Sequence, residues 1–147
     1  MHDPIHSIGK EITVKETINT DIRVRYAETD QMGIAYYANY LIWFEVGRSE
    51  FCRQRDFSYA ALEGLGYKLV VTEAQCRYRN AARYDDLITV QTRLKALDKR
   101  IITFGYEIVR KDKDELIAEG ESRHLCVDAA GKPKSLPKEF LTRLAGH

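Results

Sequence analysis

Apolar and polar side chains alternate along most of this chain, and a period of two predicts β-strands. In the first such segment Ile22, Val24 and Tyr26 share one face, opposite Arg23 and Arg25. Four longer segments follow Tyr67, at residues 70–79, 88–96, 102–108 and 116–127. Short charged connections at 98–100 and 111–115 predict an antiparallel meander. The last segment is apolar on both faces in places, which predicts a central strand.

Between residues 39 and about 55 the apolar period changes to that of an α-helix. A second, shorter helix is predicted from Ser58 to about Gly64 or Gly66, and a third at 138–144. Residues 1 to about 18 are predicted to be an N-terminal tail or the lead-in to the first strand. One face of the long helix carries Tyr40, Phe44, Gly47 and Phe51.

A helix with an apolar face needs a sheet to cover it, so the pattern predicts an α+β fold with one helix wrapped by a curved antiparallel sheet. The chain has 147 residues, which favours a single domain over residues 1–147. An exposed face or edge of such a sheet also favours association with a second copy.

Composition excludes several classes of function. The net charge of +1 argues against a general nucleic-acid-binding surface, and no apolar run approaches the length of a membrane span. The N-terminal residues have no apolar segment typical of a secretory signal. Three widely spaced cysteines predict reduced core residues and a cytoplasmic location. The four histidines form no zinc-binding pattern, so no metal is predicted.

Asp30 is the candidate reactive residue, because it lies in the break between a strand and the long helix. Two interpretations stay open from position alone. The carboxylate is either a turn residue that satisfies free N–H groups, or a nucleophile or general base beside backbone donors that stabilise an oxyanion. Nearby aromatic side chains either line an acyl or aryl pocket or belong to the core: Tyr36, Tyr37, Tyr40, Trp43 and Phe44.

Three segments resemble the 4-hydroxybenzoyl-CoA thioesterase family of hotdog-fold proteins. Residues 25–40 read RYAETDQMGIAYYANY, which is similar to the family signature of an aspartate, a glycine three residues later and an aromatic run ending in Asn-Tyr. Residues 81–86 (AARYDD) and 127–133 (VDAAGKP) resemble two of its turns, in the same order. The resemblance implies the hotdog fold, with a long central α-helix wrapped by a curved antiparallel sheet of about five strands.

The resemblance also implies an acyl-CoA thioesterase that releases a free acid and CoA without a cofactor. Asp30 matches the catalytic carboxylate, Tyr37 the residue whose backbone N–H polarises the thioester carbonyl, and Gly33 the turn that admits substrate. The family implies a homodimer, and in many members a homotetramer. Candidate substrate contacts are Tyr36, Asn39, Tyr40 and Trp43, with Arg83, Lys132 and Lys134 as candidate cations for the CoA phosphates.

Two further functions stay open, a hotdog hydratase or dehydratase and a non-catalytic acyl-CoA-binding protein. The dehydratase chemistry calls for a histidine paired with a carboxylate, and His124 is instead predicted to be a hydrogen-bonded sheet residue. Glu45 or Glu63 is the alternative catalytic carboxylate. Otherwise Glu45 is expected to pair with Arg48, three residues further along the helix.

Overall fold

The computed structural model describes residues 16–146, so the predicted N-terminal tail lies almost entirely outside the described residues. The long helix and the two shorter ones fall where the apolar period predicts them. No described helix is both long and apolar enough to cross a membrane. The elements in chain order are β1 (Thr17–Arg23), a short 3-10 helix (Tyr26–Glu28), α1 (Asn39–Gln54), α2 (Tyr59–Gly64), β2 (Lys68–Tyr78), β3 (Leu87–Leu97), β4 (Ile101–Arg110), β5 (Glu115–Val127) and α3 (Lys138–Ala145).

The five strands form one antiparallel sheet in the order β1-β3-β4-β5-β2. The predicted meander holds for β3, β4 and β5, and β5 is internal as predicted. β2 lies outside this meander, because it pairs with β5 and the chain crosses the sheet to reach β3. β1 and β2 are therefore the two edges of the sheet.

The first strand lies earlier in the chain than its alternation predicts. β1 ends at Arg23, and Tyr26 belongs to the 3-10 helix instead of the strand. The backbone of Val24 leaves the sheet because its N–H donates to the carbonyl of Asp86 and its carbonyl accepts from the N–H of Asp85. The chain is thus fastened to the turn before β3 just ahead of the candidate site.

One face of α1 packs on the sheet and supplies much of the core. Tyr40, Trp43, Phe44 and Phe51 are all buried, and the Phe44 ring stacks on Tyr106 at a centroid distance of 4.2 Å. The opposite face carries the polar residues expected there, since Glu50 accepts hydrogen bonds from Arg53 and Gln54. Burial of this aromatic face against the sheet fixes where the helix begins.

His124 is a core residue, as predicted. Its side chain is 2% exposed, and its Nε2 atom lies 2.8 Å from Ser122 Oγ, which in turn lies 2.5 Å from the Tyr106 hydroxyl. Burial, together with the positive charge of Arg48, lowers the pKa of His124 to about 4. The imidazole is therefore neutral in the folded protein at neutral pH.

This low pKa predicts a loss of stability in mild acid. The unfolded chain takes up a proton near the ordinary pKa of 6.5 and the folded chain only near 4, so protonation favours unfolding as pH falls through that window. Between pH 7 and pH 5, His124 is expected to lower the free energy of unfolding by about 2 kcal/mol. Urea unfolding at a series of pH values measures this. His124→Gln should flatten the profile between pH 7 and pH 5, and an unchanged slope in that variant would contradict the prediction.

Candidate active site

Asp30 opens a tight turn that the backbone closes on itself. The Asp30 N–H donates to the carbonyl of Ile34, and the Gly33 N–H donates to the carbonyl of Asp30. Gly33 has φ +79°, a left-handed conformation that glycine adopts without a Cβ clash. Asp30 Oδ1 accepts a hydrogen bond from the Met32 N–H at 2.8 Å. No described residue donates to Oδ2, so one oxygen holds the turn and the other is available to a substrate or a water.

The residues just before α1 present free backbone donors, and the bridge between Thr29 and Ala35 brings this segment to the Asp30 turn. The Tyr36 N–H is bound to the carbonyl of Glu28 at 2.8 Å, whereas no described residue accepts from the N–H of Tyr37 or Ala38. Helix N-termini leave such donors free and carry a partial positive charge. Ala38, the residue that caps the helix, offers no side-chain acceptor. The place of Asp30 as a turn residue is therefore confirmed, and its role as a nucleophile or general base beside these N–H groups stays a prediction.

Tyrosine rings surround the start of the helix. Tyr36 and Tyr37 lie with centroids 4.8 Å apart, and Tyr37 is 61% exposed. A hydrogen bond with Tyr37 raises the pKa of Tyr36, and the negative charge of Asp30 adds to the effect. The Tyr78 hydroxyl donates to the carbonyl of Tyr37 at 3.1 Å, and burial raises the pKa of Tyr78 to about 12. The hydroxyls of Tyr36 and Tyr78 therefore keep their protons at neutral pH, and Tyr78 holds the peptide that follows the Tyr37 N–H.

Three other predicted substrate contacts lie beneath this surface. Asn39 donates from its side-chain amide to the carbonyl of Glu28 at 2.7 Å. Tyr40 is buried, with its hydroxyl accepting from the Ala82 N–H, and the buried Trp43 donates from Nε1 to Glu28 Oε2. In the single chain these side chains support the site from below, and their direct contact with substrate stays a prediction.

The predicted cations lie at two ends of the sheet. Arg83 is beside the Asp30 turn, because its backbone bridges Ile34. The Lys134 N–H donates to the carbonyl of Cys126 near the far end of β5, and next to it the Asp128 N–H donates to the carbonyl of Lys132. β5 has 13 residues, so roughly 40 Å of strand separates the two ends. One chain therefore brings Arg83, but not Lys132 or Lys134, to Asp30.

A second group of polar residues lines a cavity of about 190 Å³ between α1, α2 and the β2–β5 side of the sheet. Glu45, Glu63, Arg48 and His124 all border it. Burial alone would lower the pKa of Arg48, but the Tyr106 hydroxyl and the negative charge of Glu45 outweigh it and raise that pKa. Glu45 therefore acts on Arg48 electrostatically, and a direct pair between them stays a prediction. Neither glutamate lies next to a free helix N-terminus, so this cavity offers a carboxylate without the oxyanion donors found at Asp30.

Two residues of the site were not singled out from sequence, Glu28 and Tyr78. Tyr78 had been assigned only to a strand face, and its place beside the helix depends on strand order. Glu28 stands three residues after Arg25, and a carboxylate at that spacing is a signal for a bond back to an N–H. No group of three histidine, cysteine or acidic side chains among residues 16–146 is arranged to hold a metal. The prediction that no metal is needed stays a prediction.

Comparisons with known proteins agree on one family. A family model described as the thioesterase-like superfamily matches residues 24–144. The acyl-CoA thioester hydrolase of Escherichia coli is 33% identical over 121 residues, which cover 82% of this chain and 90% of that protein. The crystal structure of a DHNA-CoA thioesterase from Staphylococcus aureus matches with a TM-score of 0.80 at 34% identity, over 84% of this chain and 83% of that one. A 1,4-dihydroxy-2-naphthoyl-CoA thioesterase from Synechocystis has a similar fold, with a TM-score of 0.83 at 20% identity over 89% of this chain and 97% of that one.

Proposed function

Because the chain belongs to the thioesterase-like superfamily and has the hotdog fold, it is a thioester hydrolase, and we propose that it hydrolyses an acyl-CoA thioester at Asp30 and the start of α1. One observation carries the proposal. Asp30 has a carboxylate oxygen without a donor among the described residues, and Tyr37 has a backbone N–H without an acceptor among them. A nucleophile or base and an oxyanion donor are the two groups that acyl transfer needs.

The proposed reaction adds water across the thioester bond. The carbonyl oxygen accepts a hydrogen bond from the Tyr37 N–H, which stabilises the negative charge that develops as the carbon becomes tetrahedral. Asp30 either attacks the carbonyl carbon, giving an anhydride that water then opens, or takes a proton from the attacking water. In both routes the C–S bond breaks, the sulfur leaves as the CoA thiol after protonation, and the acid is released. The residues present leave both routes open.

The candidate cations lie at opposite ends of the sheet, and this separation supports a homodimer. β2 is an edge strand whose side chains are mostly exposed, and its outer backbone groups are unpaired within the described chain. Antiparallel pairing of two β2 edges about a two-fold axis places the far end of one sheet beside the Asp30 end of the other. We infer that Lys132 and Lys134 then serve the partner's site. Exposed apolar side chains of α1 and β2 fit the same contact: Leu41, Ile42, Val46, Val70 and Val71.

The pairing of two dimers into a homotetramer, a cytoplasmic location and the absence of a cofactor remain parts of this proposal that rest on the resemblance and on composition. A hotdog dehydratase is less well supported, because the His124 imidazole is buried and hydrogen-bonded to Ser122 in the core. An acyl-CoA-binding protein without turnover would use the same residues around Asp30 and the start of α1. The assay below distinguishes it from the proposed enzyme.

Free-thiol release from a panel of CoA thioesters tests the proposed function. Aromatic thioesters come first, because the relative from Staphylococcus aureus acts on DHNA-CoA and four tyrosines surround the site in this chain. Short and long aliphatic thioesters complete the panel. Turnover of at least one thioester is expected. Binding of a thioester without thiol release from any member would favour the acyl-CoA-binding protein.

Removal of the far cations is expected to weaken CoA binding without slowing the chemistry. K132A/K134A should raise KM for the best acyl-CoA about tenfold, a loss of about 1.4 kcal/mol, and leave kcat within about twofold. The same acyl group on N-acetylcysteamine has no phosphates, so its KM should not change. Lys113→Ala, on the exposed β4–β5 turn, serves as the control. An equal rise in KM for both thioesters would contradict a phosphate contact.

A further inference from the structure

Glu28 is a buried carboxylate within the candidate site. Its side chain is 6% exposed, although it lies in a short 3-10 helix on the surface of the sheet. Oε1 accepts from the Arg25 N–H at 2.8 Å, and Oε2 accepts from Trp43 Nε1 at 3.0 Å and from the Arg25 guanidinium at 3.4 Å. These hydrogen bonds outweigh burial and lower the pKa of Glu28. A buried charge with this many donors holds its surroundings in one arrangement.

The main chain of the same residue holds the start of α1. The carbonyl of Glu28 accepts from the Tyr36 N–H at 2.8 Å and from the Asn39 side chain at 2.7 Å. The Tyr37 N–H is the next one along the chain after Tyr36. The bond from the Tyr36 N–H to Glu28 holds the peptide before Tyr36. The next peptide carries the free Tyr37 N–H, and its carbonyl, that of Tyr36, accepts from the Asn39 N–H at 2.9 Å, so the donor peptide is held on both sides of Tyr36.

Glu28 therefore connects the segment that carries Asp30 to the first two turns of α1. Its side chain is tied to Arg25 on one side and to the second turn of α1, through Trp43, on the other. Its main chain is tied to the first turn of α1, and Asp30 follows only two residues later. We propose that Glu28 is a positioning residue for the hydrolysis reaction, which sets the Tyr37 N–H and the Asp30 carboxylate in register with each other. This inference rests on the proposed function.

Glu28 does not act on the substrate itself in this arrangement. Both of its oxygens are occupied by donors, and its side chain is closed off from solvent by Trp43 and the 3-10 helix. Asp30, by contrast, keeps one oxygen free of described donors. The two acidic residues of the motif thus have separate roles. Glu28 holds the backbone of the site in place, and Asp30 contacts the thioester.

Glu28→Gln is the sharpest test, because glutamine keeps the shape and replaces one oxygen by an NH₂ group. Whichever way the amide turns, that NH₂ faces either the Arg25 N–H or Trp43 Nε1–H, which places two donors opposite each other. We expect kcat to fall about 30-fold with KM within about threefold, measured well below the melting temperature. Trp43→Phe removes one donor, so E28Q/W43F should recover most of the kcat of the Trp43→Phe variant.

Two controls separate positioning from general loosening. Ser122→Ala breaks the buried bonds to Tyr106 and His124 elsewhere in the core, and its kcat should stay within about twofold of wild type. Glu28→Gln should also leave the shape of the pH profile of kcat/KM unchanged, which it would not do if Glu28 were the catalytic base. If Glu28→Gln does not fold, Trp43→Phe alone should still lower kcat about threefold with unchanged KM.

Hydrogen exchange of the Tyr36 amide provides a measurement independent of catalysis. Exchange should be at least tenfold faster in Glu28→Gln, or in Trp43→Phe, than in wild type and in Ser122→Ala. Wild-type thiol release together with wild-type kcat in Glu28→Gln would overturn the positioning role and leave the proposed function intact. If wild type releases no thiol but Tyr36 exchange is faster in the variant, the proposed function is overturned. Glu28 would then still hold the backbone at the start of α1. Unchanged exchange of the Tyr36 amide in both variants would show that the Glu28 side chain does not hold the start of α1, and would overturn the positioning role.

Discussion

Asp30→Asn is expected to lower kcat at least 100-fold, a loss of about 2.7 kcal/mol or more in transition-state stabilisation. Asparagine keeps an oxygen that can accept the Met32 N–H, so the turn that Asp30 Oδ1 now holds should persist. The amide loses the negative charge that a nucleophile or general base requires. KM and the melting temperature should therefore change little while thiol release nearly stops.

Asp85→Asn is the matched control for this change. Asp85 is an exposed turn aspartate with φ +70°, a conformation that asparagine tolerates, and it lies in the turn to which the site is fastened. Its kcat should remain within about twofold of wild type. If Asp30→Asn retains more than about a third of wild-type kcat, Asp30 is a turn residue only. Glu45 and Glu63, which share a cavity with Arg48 and His124, then become the carboxylates to replace.

The Asp30 turn and the start of α1 could be predicted from sequence because both are local. A polar break with Gly33 between a strand and a helical period predicts the turn, and the change of period near Asn39 predicts where free N–H groups occur. The family signature then assigned Tyr37 to the oxyanion donor. The free Tyr37 N–H in the structure is consistent with that assignment, and its part in catalysis stays a prediction.

Strand order could not be predicted, because the alternating pattern reports which face is buried and not which strand is the neighbour. The pattern therefore does not show that β2 lies at the far edge of the sheet, next to β5. The same gap affected the cations. Charge and the resemblance group Lys132 and Lys134 with Arg83, and the sheet shows that the length of β5 separates them from Asp30.

The sequence is equally ambiguous about which aromatic residues around the start of α1 face a pocket and which belong to the core. Tyr37 and Trp43 are six residues apart, and either can face a pocket or the core. In the structure Tyr37 is exposed and Trp43 is buried, with its N–H turned to Glu28. That contact spans fifteen residues, and nothing in the local pattern of Glu28 indicates it, which is why its carboxylate was missed as a member of the site.

Gly47→Ala is expected to lower the free energy of unfolding by about 1–3 kcal/mol, because α1 touches β3 at this residue. A Cβ there would lie 2.4 Å from Thr92 Oγ1 and 2.7 Å from Val90 Cγ1. Both neighbours are β-branched and buried, so their side chains have few other rotamers to adopt. Helix propensity alone would favour alanine by about 1 kcal/mol, and the overlap with β3 outweighs it.

Gly64→Ala separates packing from propensity in the same measurement. Gly64 also lies in a helix, but nothing is within 4 Å of the position of its Cβ, so alanine there should be neutral or stabilise by up to about 1 kcal/mol. Urea unfolding of the two variants beside wild type gives both values. A loss below about 1 kcal/mol in Gly47→Ala would mean that α1 can move away from β3 at little cost. Because the Tyr37 N–H lies just before the first turn of that helix, such freedom would also contradict a rigidly held oxyanion donor.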